Sequence, residues 1–201
     1  MYKLTDIMLQ NLEKDLRKFH ELFQGGRCQA WQLEELIAKA IRSDFKKSEQ
    51  VIWKGNGHDI GCDISVNNQY EMQIKSGVVD NDFLLLSGHR LGRFKGDLEQ
   101  ITNFLNENRY LIIAVPYKDS ECKLGKTHAY QLIYLDSDFL KIENYKMWQE
   151  KKGKKGGNSY FCTNQYGVFL TISPSMSWQI WWKIPIKNIK EENKTRFIII
   201  N

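Results

Sequence analysis

The residue types best suited to chemistry lie in one stretch, GHDIGCDISVNNQYEMQIKSG, which spans residues 57–77. Within it, Asp63 offers a carboxylate, Gln73 an amide oxygen and Lys75 an ammonium group. Oxygen ligands of this kind bind hard divalent cations. A lysine beside such a cation places positive charge next to a phosphate and its attacking water. The stretch therefore favours metal-assisted chemistry on a phosphate ester.

Alternation along two predicted strands, 60–66 and 70–76, brings these three groups together. In each strand the apolar residues share one face, which leaves Asp63 in the first strand, and Gln73 and Lys75 in the second, on the other face. A three-residue loop, 67–69, keeps the two apolar faces together and sets Asp63 opposite Gln73. The same loop also predicts three apolar pairs: Val66–Tyr70, Ile64–Met72 and Cys62–Ile74. A two-residue Asn-Asn turn would instead mix the faces.

A helix upstream of the hairpin offers another carboxylate. Leu33, Leu36 and Ala40 recur at helical spacing and form an apolar stripe. Glu34 borders this stripe, whereas Glu35 points away from it. We therefore expect Glu34 to reach the polar patch of the hairpin and Glu35 to be solvated.

Taken in order, these motifs resemble the PD-(D/E)xK endonucleases. They are most similar to the Mrr-like subset and to those type II restriction enzymes in which glutamine replaces the usual acidic residue. The segments that carry the resemblance are LEELI at 33–37, DIGCDI at 59–64 and QIK at 73–75. The resemblance covers residues 31–77, under a quarter of the chain.

The resemblance implies a PD-(D/E)xK restriction-endonuclease-like α/β fold, a mixed sheet flanked by helices, and hydrolysis of double-stranded DNA at a short specific sequence. It also implies one or two Mg²⁺ ions, with Asp63, Gln73 and the backbone carbonyl of Ile74 as ligands. Lys75 would orient or deprotonate the attacking water, and Glu34 would bind the metal through water. The candidates for groups around these ligands are His58, Asp59 and Glu71.

The same residues also have ordinary structural interpretations. Asp63 fits a turn at a strand end, and Gln73 and Lys75 fit a solvated strand face. Asp59 fits the closure of the Gly-Asn-Gly-His loop. Two other functions therefore stay open: a repair or junction-resolving nuclease of the same fold, and a catalytically inactive DNA-binding module.

The texture of the chain predicts three segments: an N-terminal helical segment at 1–28, a PD-(D/E)xK catalytic core at 29–140, and a basic, aromatic, β-rich region at 141–201 for DNA recognition or dimerisation. Apolar periodicity predicts helices near 3–23, 33–41 and 97–108. Apolar or alternating runs predict further strands near 51–53, 111–115, 130–135, 168–173, 178–184 and 196–200.

Basic and amide side chains downstream are candidates for DNA contact, because arginine clamps phosphates or reads guanine and helix N-termini favour anions. One group precedes the helix predicted to begin near Asp97: His89, Arg90, Arg93 and Lys95. A second lies among glycines and reads as a flexible arm: Lys151, Lys152, Lys154 and Lys155. Asn164 and Gln165 form a candidate recognition loop. Solvated loops are the alternative for all three groups. For the aromatic cluster Trp178, Trp181 and Trp182, packing in a core or dimer is favoured over base stacking.

Composition sets limits on the class of protein. The net charge is +5 and the pI is about 8.9, which suits an anionic partner. The four cysteines have no C-x-x-C spacing, which argues against zinc and disulfides and favours reduced thiols. No apolar run is long enough to cross a bilayer, and the N-terminus is charged from the start, so we expect a cytoplasmic protein with no membrane contact. Either a homodimer on a palindrome or a monomer fits this size.

Overall fold

A computed structural model describes residues 1–24, 26–44, 50–54, 62–122, 125–152, 158–174 and 177–201, with the backbone alone at 121, 122 and 125. The chain is α/β, and these residues form a large mixed sheet and three α-helices. The predicted α/β class is confirmed, while the restriction-endonuclease-like topology stays a prediction. The chain forms two compact units: unit 1 is Met1–Ser76, Tyr110–Leu135 and Glu192–Asn201, and unit 2 is Gly77–Arg109 and Asp136–Glu191.

The helices form where the apolar residues recur at helical spacing, and capping residues mark where α1 and α3 begin. Helix α1, Asp6–Leu22, begins after Thr5, whose hydroxyl accepts a hydrogen bond from the N–H of Met8. Helix α2 is Ala30–Arg42, and helix α3 is Leu98–Glu107. Asp97 caps α3 by accepting from the N–H groups of Glu99 and Gln100. All three predicted helices are therefore confirmed within a few residues at each end.

Unit 1 contains a sheet that carries the β-hairpin of interest. Its strands are β1 Val51–Trp53, β2 Ile64–Val66, the first part of β3 Tyr70–Asp80, β5 Leu111–Cys122, β6 Gly125–Tyr130, β7 Ile133–Leu135 and β12 Ile198–Ile200. Strand β2 pairs with β1 and β3, while β5 lies next to β3 and pairs with β6 and β7. The last strand, β12, pairs with β6. The pairs β1–β2, β2–β3, β5–β6, β5–β7 and β6–β12 are antiparallel.

The core of unit 1 lies between helices α1 and α2 on one side and this sheet on the other. Helix α1 contributes residues spaced by four, Met8, Leu12 and Leu16, and α2 contributes Leu33 and Ile37. The β2–β3 hairpin contributes Ile64, Val66, Met72 and Ile74, and strand β5 contributes Ile113 and Val115. Because burying one such side chain contributes about 1.5–3 kcal/mol, this layer holds the hairpin firmly on the helices.

Unit 2 is built on antiparallel strands and α3. Its strands are the end of β3, β4 Phe83–Arg90, β8 Gln149–Lys152, β9 Asn158–Thr163, β10 Phe169–Ser173 and β11 Gln179–Pro185, in the spatial order β3-β4-β11-β10-β9-β8. Trp182 is buried beside Gly88, where a Cβ atom would lie 2.4 Å from the indole ring. A side chain at position 88 would therefore displace Trp182.

Several predicted boundaries differ from the structure. The run 130–135 is not one strand. The N–H of Leu132 donates to the hydroxyl of Thr195, and the strand is interrupted between the end of β6 and the start of β7. The compact units also do not follow the predicted divisions at 28/29 and 140/141. The region after residue 141 is β-rich as predicted, but its last strand pairs with β6 in unit 1.

Candidate active site

The β2–β3 hairpin has the register that strand parity predicts. Val66 pairs with Tyr70 and Ile64 pairs with Met72, so the loop has three residues, 67–69. Asn67 and Asn68 adopt positive φ angles of 53° and 54°, which asparagine tolerates better than most residues. The side chains of Ile64, Val66, Met72 and Ile74 are all buried in the unit 1 core. The alternative two-residue turn is therefore wrong.

Asp63 lies just before β2 and leaves the regular ladder. Its N–H donates to the carbonyl of Met72 at 2.8 Å, although Met72 is already the partner of Ile64. Its carboxylate Oδ2 accepts the N–H of Ile74 at 2.7 Å. The predicted pairs Asp63–Gln73 and Cys62–Ile74 thus lie beyond the end of the ladder. The hairpin still holds Asp63 beside β3, but through its side chain as well as its backbone.

Lys75 lies on β3 and its charge acts on Asp63 and Glu34. Burial lowers the pKa of the Lys75 ammonium, and the negative charges of Asp63 and Glu34 oppose this shift. Burial likewise raises the pKa of Asp63, opposed by the hydrogen bond from Ile74 and by the positive charge of Lys75. The two side chains therefore stabilise each other's charged forms in a partly desolvated setting.

Glu34 joins this group from helix α2. Burial, with the negative charge of Asp63, raises the pKa of Glu34 to about 7. The Trp53 indole and Lys75 partly offset the rise, although the indole N–H does not complete a hydrogen bond of normal geometry. The neighbouring Glu35 is exposed, as predicted. Three charged groups that lie apart in the sequence thus influence one another within unit 1.

The remaining predicted site residues have different surroundings. Gln73 is only 2% exposed on β3, between Met72 and Ile74. Glu71 is exposed, and its carboxylate accepts a weak hydrogen bond from the thiol of Cys62 at 3.6 Å. Glu71 is absent from the charges that shift Asp63 and Lys75, so its predicted place beside the metal ligands is not supported. His58 and Asp59 lie outside the described residues.

The predicted metal ligands are oxygen donors, the kind that a hard divalent cation prefers. Within the described part of the chain, no three His, Cys, Asp or Glu side chains lie close enough together to hold a metal ion by themselves. The candidate set is different in kind, because it combines the Asp63 and Glu34 carboxylates with an amide oxygen from Gln73 and a backbone carbonyl. Burial disfavours the charged forms of both carboxyls, and a cation would favour those forms.

The basic group around residues 89–95 belongs to unit 2 and is more structured than a loop. His89 and Arg90 end strand β4, and His89 packs edge-on against Phe104. The Arg93 guanidinium lies 4.6 Å and 4.4 Å from the ring centroids of Phe94 and Phe104. Lys95 is exposed. Because Asp97 already caps helix α3, the helix N–H groups proposed for an anion are occupied by a carboxylate.

The second basic group and the predicted recognition loop also need correction. Lys151 and Lys152 lie in strand β8, paired with β9, and so do not form a flexible arm. Lys154 and Lys155 lie outside the described residues. Asn164 is 5% exposed and donates to the carbonyls of Phe139 and Lys141, while its Oδ1 accepts from the N–H groups of Tyr166 and Val168. Asn164 therefore has a structural role, and only Gln165 of that pair is exposed.

Two groups at the site were missed by sequence reasoning. The Ile74 N–H holds the Asp63 carboxylate, and the Trp53 indole lies toward Glu34. Trp53 is positioned because β1 pairs with β2 and sets it opposite Ile64. The strand at 51–53 was predicted, but its neighbour in the sheet was not, so only a strand-pairing prediction would have identified this contact.

Comparison with known proteins adds no family assignment. No protein-family model matches the chain, and neither curated proteins nor solved structures give a significant match. Within the described residues, every helix is too short or too polar to cross a bilayer.

Proposed function

We propose that this protein is a Mg²⁺-dependent endonuclease of the PD-(D/E)xK type that cuts double-stranded DNA at a short specific sequence, as a type II restriction enzyme. The observation that supports the proposal is the mutual influence of Asp63, Lys75 and Glu34 in a partly buried setting. Groups with perturbed pKa values cluster at functional sites, because burying charge without a chemical purpose is unfavourable.

Each residue has a defined task in this proposal. Asp63 and Gln73, with the carbonyl of Ile74, would hold Mg²⁺, and Glu34 would contact it through water. When bound, Mg²⁺ supplies Lewis-acid activation of the phosphodiester. The lowered pKa of Lys75 brings its amine closer to accepting a proton from water, while its charged form offsets negative charge in the pentacovalent transition state. The hydrogen bond from Ile74 fixes the orientation of the Asp63 carboxylate.

A solvated strand face is the main competing interpretation, and it fits these residues poorly. On such a face Gln73 and Lys75 would be exposed, whereas Gln73 is buried and burial dominates the pKa shift of Lys75. A half-buried lysine next to two carboxylates has an energetic cost that a fully exposed position would avoid. This cost supports a functional role over an incidental one.

The decisive experiment is digestion of a plasmid of known sequence, with Mg²⁺ or with EDTA, followed by sequencing of the ends. We expect discrete fragments with Mg²⁺ and none with EDTA. Asp63→Asn and Lys75→Ala should each lower the cutting rate by about 10²–10³ or more, the range for loss of an electrostatic stabiliser. Glu35→Gln and Lys118→Ala change exposed residues of unit 1 and serve as matched controls with unchanged rates.

Other outcomes would separate the alternatives. Preferential cutting of a four-way junction over linear duplex would favour a repair or junction-resolving nuclease. DNA binding without cutting, in Mg²⁺ and in Mn²⁺, would favour an inactive binding module. Equal cutting by Lys75→Ala and the wild type would overturn the assigned mechanism.

A further inference from the structure

Unit 2 exposes one face of its antiparallel sheet. Thr171 on β10 lies directly opposite Phe161 on β9 and Trp181 on β11. Phe169 on β10 lies directly opposite Thr163 and Lys183 on the same two strands. Directly opposed residues project from the same side of a sheet. These residues therefore share one surface, here named the aromatic face: Phe161, Thr163, Phe169, Thr171, Trp181 and Lys183.

The two sides of this sheet differ in burial. On the side opposite the aromatic face, six residues of β9, β10 and β11 are buried in the core: Cys162, Leu170, Ile172, Ile180, Trp182 and Ile184. On the aromatic face, Phe161 is 38% exposed, Phe169 46% and Trp181 37%. Three large aromatic rings on adjacent strands therefore remain open to solvent. Solvent-exposed apolar surface of this kind on a sheet commonly marks a binding site.

The charge around the aromatic face is positive. Gln149 and Lys151 on β8 pair with Phe161 and Ser159, so they share its side of the sheet. Glu150, the one acidic residue in strands β8 to β11, pairs with Tyr160 and projects from the other side. Asp80, at the end of β3, is directly opposite Phe83, so one carboxylate also lies on this side of the sheet. The strands that carry the three rings thus combine aromatic, hydroxyl and lysine side chains.

Lys183 is held beside the rings. Its Nζ lies 4.2 Å from the centroid of the Phe83 ring, and Phe83 in turn packs edge-on against Phe169 at 6.1 Å. A lysine held at the border of an aromatic surface supplies positive charge within reach of a ligand stacked on that surface. Aromatic platforms with adjacent cations are the arrangement by which proteins hold unpaired bases and their phosphates.

We propose that the aromatic face binds single-stranded DNA, with bases stacked on Phe161, Phe169 and Trp181 and phosphates near Lys183 and Lys151. Unpaired bases are required, because in a duplex the flat faces of the bases are already covered by their neighbours. Charge complementarity favours a polyanion over an apolar protein partner. The choice of DNA over RNA rests on the proposed function, whereas the stacking itself is independent of Asp63 and Lys75.

The test measures fluorescence anisotropy of a fluorescein-labelled oligo(dT) in EDTA, so that cutting is irrelevant. Loss of one stacked base partner weakens binding by about 1–3 kcal/mol, which corresponds to roughly 5- to 150-fold. We expect Trp181→Ala and Phe161→Ala each to weaken binding within that range and Trp181→Phe to restore most of it. Trp31→Ala is the matched control, because Trp31 is 50% exposed on helix α2 of unit 1. Its affinity should equal that of the wild type.

An abasic oligomer with the same number of phosphates tests stacking directly, and it should bind at least tenfold more weakly than oligo(dT). Equal binding of the abasic oligomer would overturn the proposal, as would tighter binding of oligo(rU) than of oligo(dT). Sedimentation tests self-association: if Trp181→Ala converts a dimer to a monomer with unchanged oligo(dT) affinity, the face joins two copies and the proposal fails. Loss of cutting by Lys75→Ala with intact oligo(dT) binding keeps the two proposals separate.

Discussion

The carboxylate of Asp63 accepts a 2.7 Å hydrogen bond from the backbone N–H of Ile74. The bond joins the residue before β2 to the middle of β3, so the hairpin itself orients the side chain. The oxygen that accepts this hydrogen bond is Oδ2. A backbone donor to a carboxylate also favours the charged form, which opposes the effect of burial on the pKa of Asp63.

This bond predicts that two substitutions of Asp63 separate stability from activity. Asp63→Ala leaves the Ile74 N–H without its acceptor and should lower the free energy of unfolding by about 1–3 kcal/mol. Asp63→Asn retains a carbonyl oxygen and should lower it by less. Both should lose Mg²⁺-dependent cutting, because neither has a carboxylate. Urea denaturation in EDTA and plasmid cutting measure the two effects. Equal destabilisation by both variants would contradict the role given to the bond.

Glu34 provides a second prediction, on the stability of the metal-free protein. Its folded-state pKa of about 7 lies above the usual value of 4.5, so the folded state binds the proton more tightly than the unfolded state. Glu34 therefore contributes stability below pH 4.5 that is lost as the pH rises through 7. At pH 8 the Glu34→Gln variant should be more stable than the wild type, by roughly 1 kcal/mol after allowance for solvent screening.

Melting temperatures with and without Mg²⁺ test this expectation. In EDTA at pH 8 the variant should melt at a higher temperature than the wild type, and at pH 4.5 the difference should shrink. With Mg²⁺ the wild type should gain more than the variant, because ligand binding to the folded state is stabilising. Glu35→Gln, at the adjacent exposed position, should melt like the wild type in all conditions. If Glu34→Gln were less stable than the wild type at pH 8, the charged Glu34 side chain would not destabilise the fold, contrary to this prediction.

The features that depend on local pattern were predictable from the sequence. Helical spacing located α2 and put Glu34, not Glu35, at the edge of its buried stripe. Strand parity selected the three-residue loop, because a shift by one residue would have turned Ile64 and Met72 out of the core. Each of these predictions relies on residues within one element or one hairpin.

The features that depend on distant pairing were not predictable. Asn164 looked like an exposed amide in a polar loop, but its partners are carbonyls more than twenty residues earlier in the chain. The last strand, β12, pairs with β6, about seventy residues before it. The carboxylate of Asp63 accepts a hydrogen bond from the Ile74 N–H that no alternation pattern specifies. In each case the residue or bond that decides the structure is not one that a local pattern of apolar residues can reveal.

Asn164 provides a third prediction, which separates its structural role from DNA recognition. Its side chain makes four hydrogen bonds that tie the β9–β10 turn to the carbonyls of Phe139 and Lys141. Asn164→Ala leaves buried polar groups without partners and should destabilise the protein by about 2–4 kcal/mol. Gln165→Ala, at the adjacent exposed position, should change stability by less than about 0.5 kcal/mol. Chemical denaturation compares the two. An equally stable Asn164→Ala variant with altered sequence preference would restore the recognition role.

A pair of buried histidines in unit 1 makes the fold sensitive to acid. The rings of His20 on α1 and His128 on β6 stack with centroids 3.6 Å apart. His20 Nε2 lies 2.8 Å from the hydroxyl of Tyr130, and His128 Nδ1 lies 2.8 Å from the hydroxyl of Tyr117. Burial, followed by the charge of His128 and more weakly of Lys126, lowers the pKa of His20 to about 4. Burial also lowers the pKa of His128.

The fourth prediction is that His20→Gln reduces the loss of stability in acid. The folded state holds His20 neutral, while the unfolded state protonates it near pH 6.5, so the stability present above pH 6.5 falls as the pH drops toward 4. Between pH 7.5 and 4.5 this single group should cost the wild type on the order of 2–3 kcal/mol. Glutamine can still bond to Tyr130 but does not titrate, so the variant should lose less over the same range. Urea denaturation at half-unit pH intervals gives both curves. Parallel curves for the two proteins would show that the stacked pair does not control acid stability, whereas curves that converge below pH 5 would locate the sensitivity at the contact between α1 and β6.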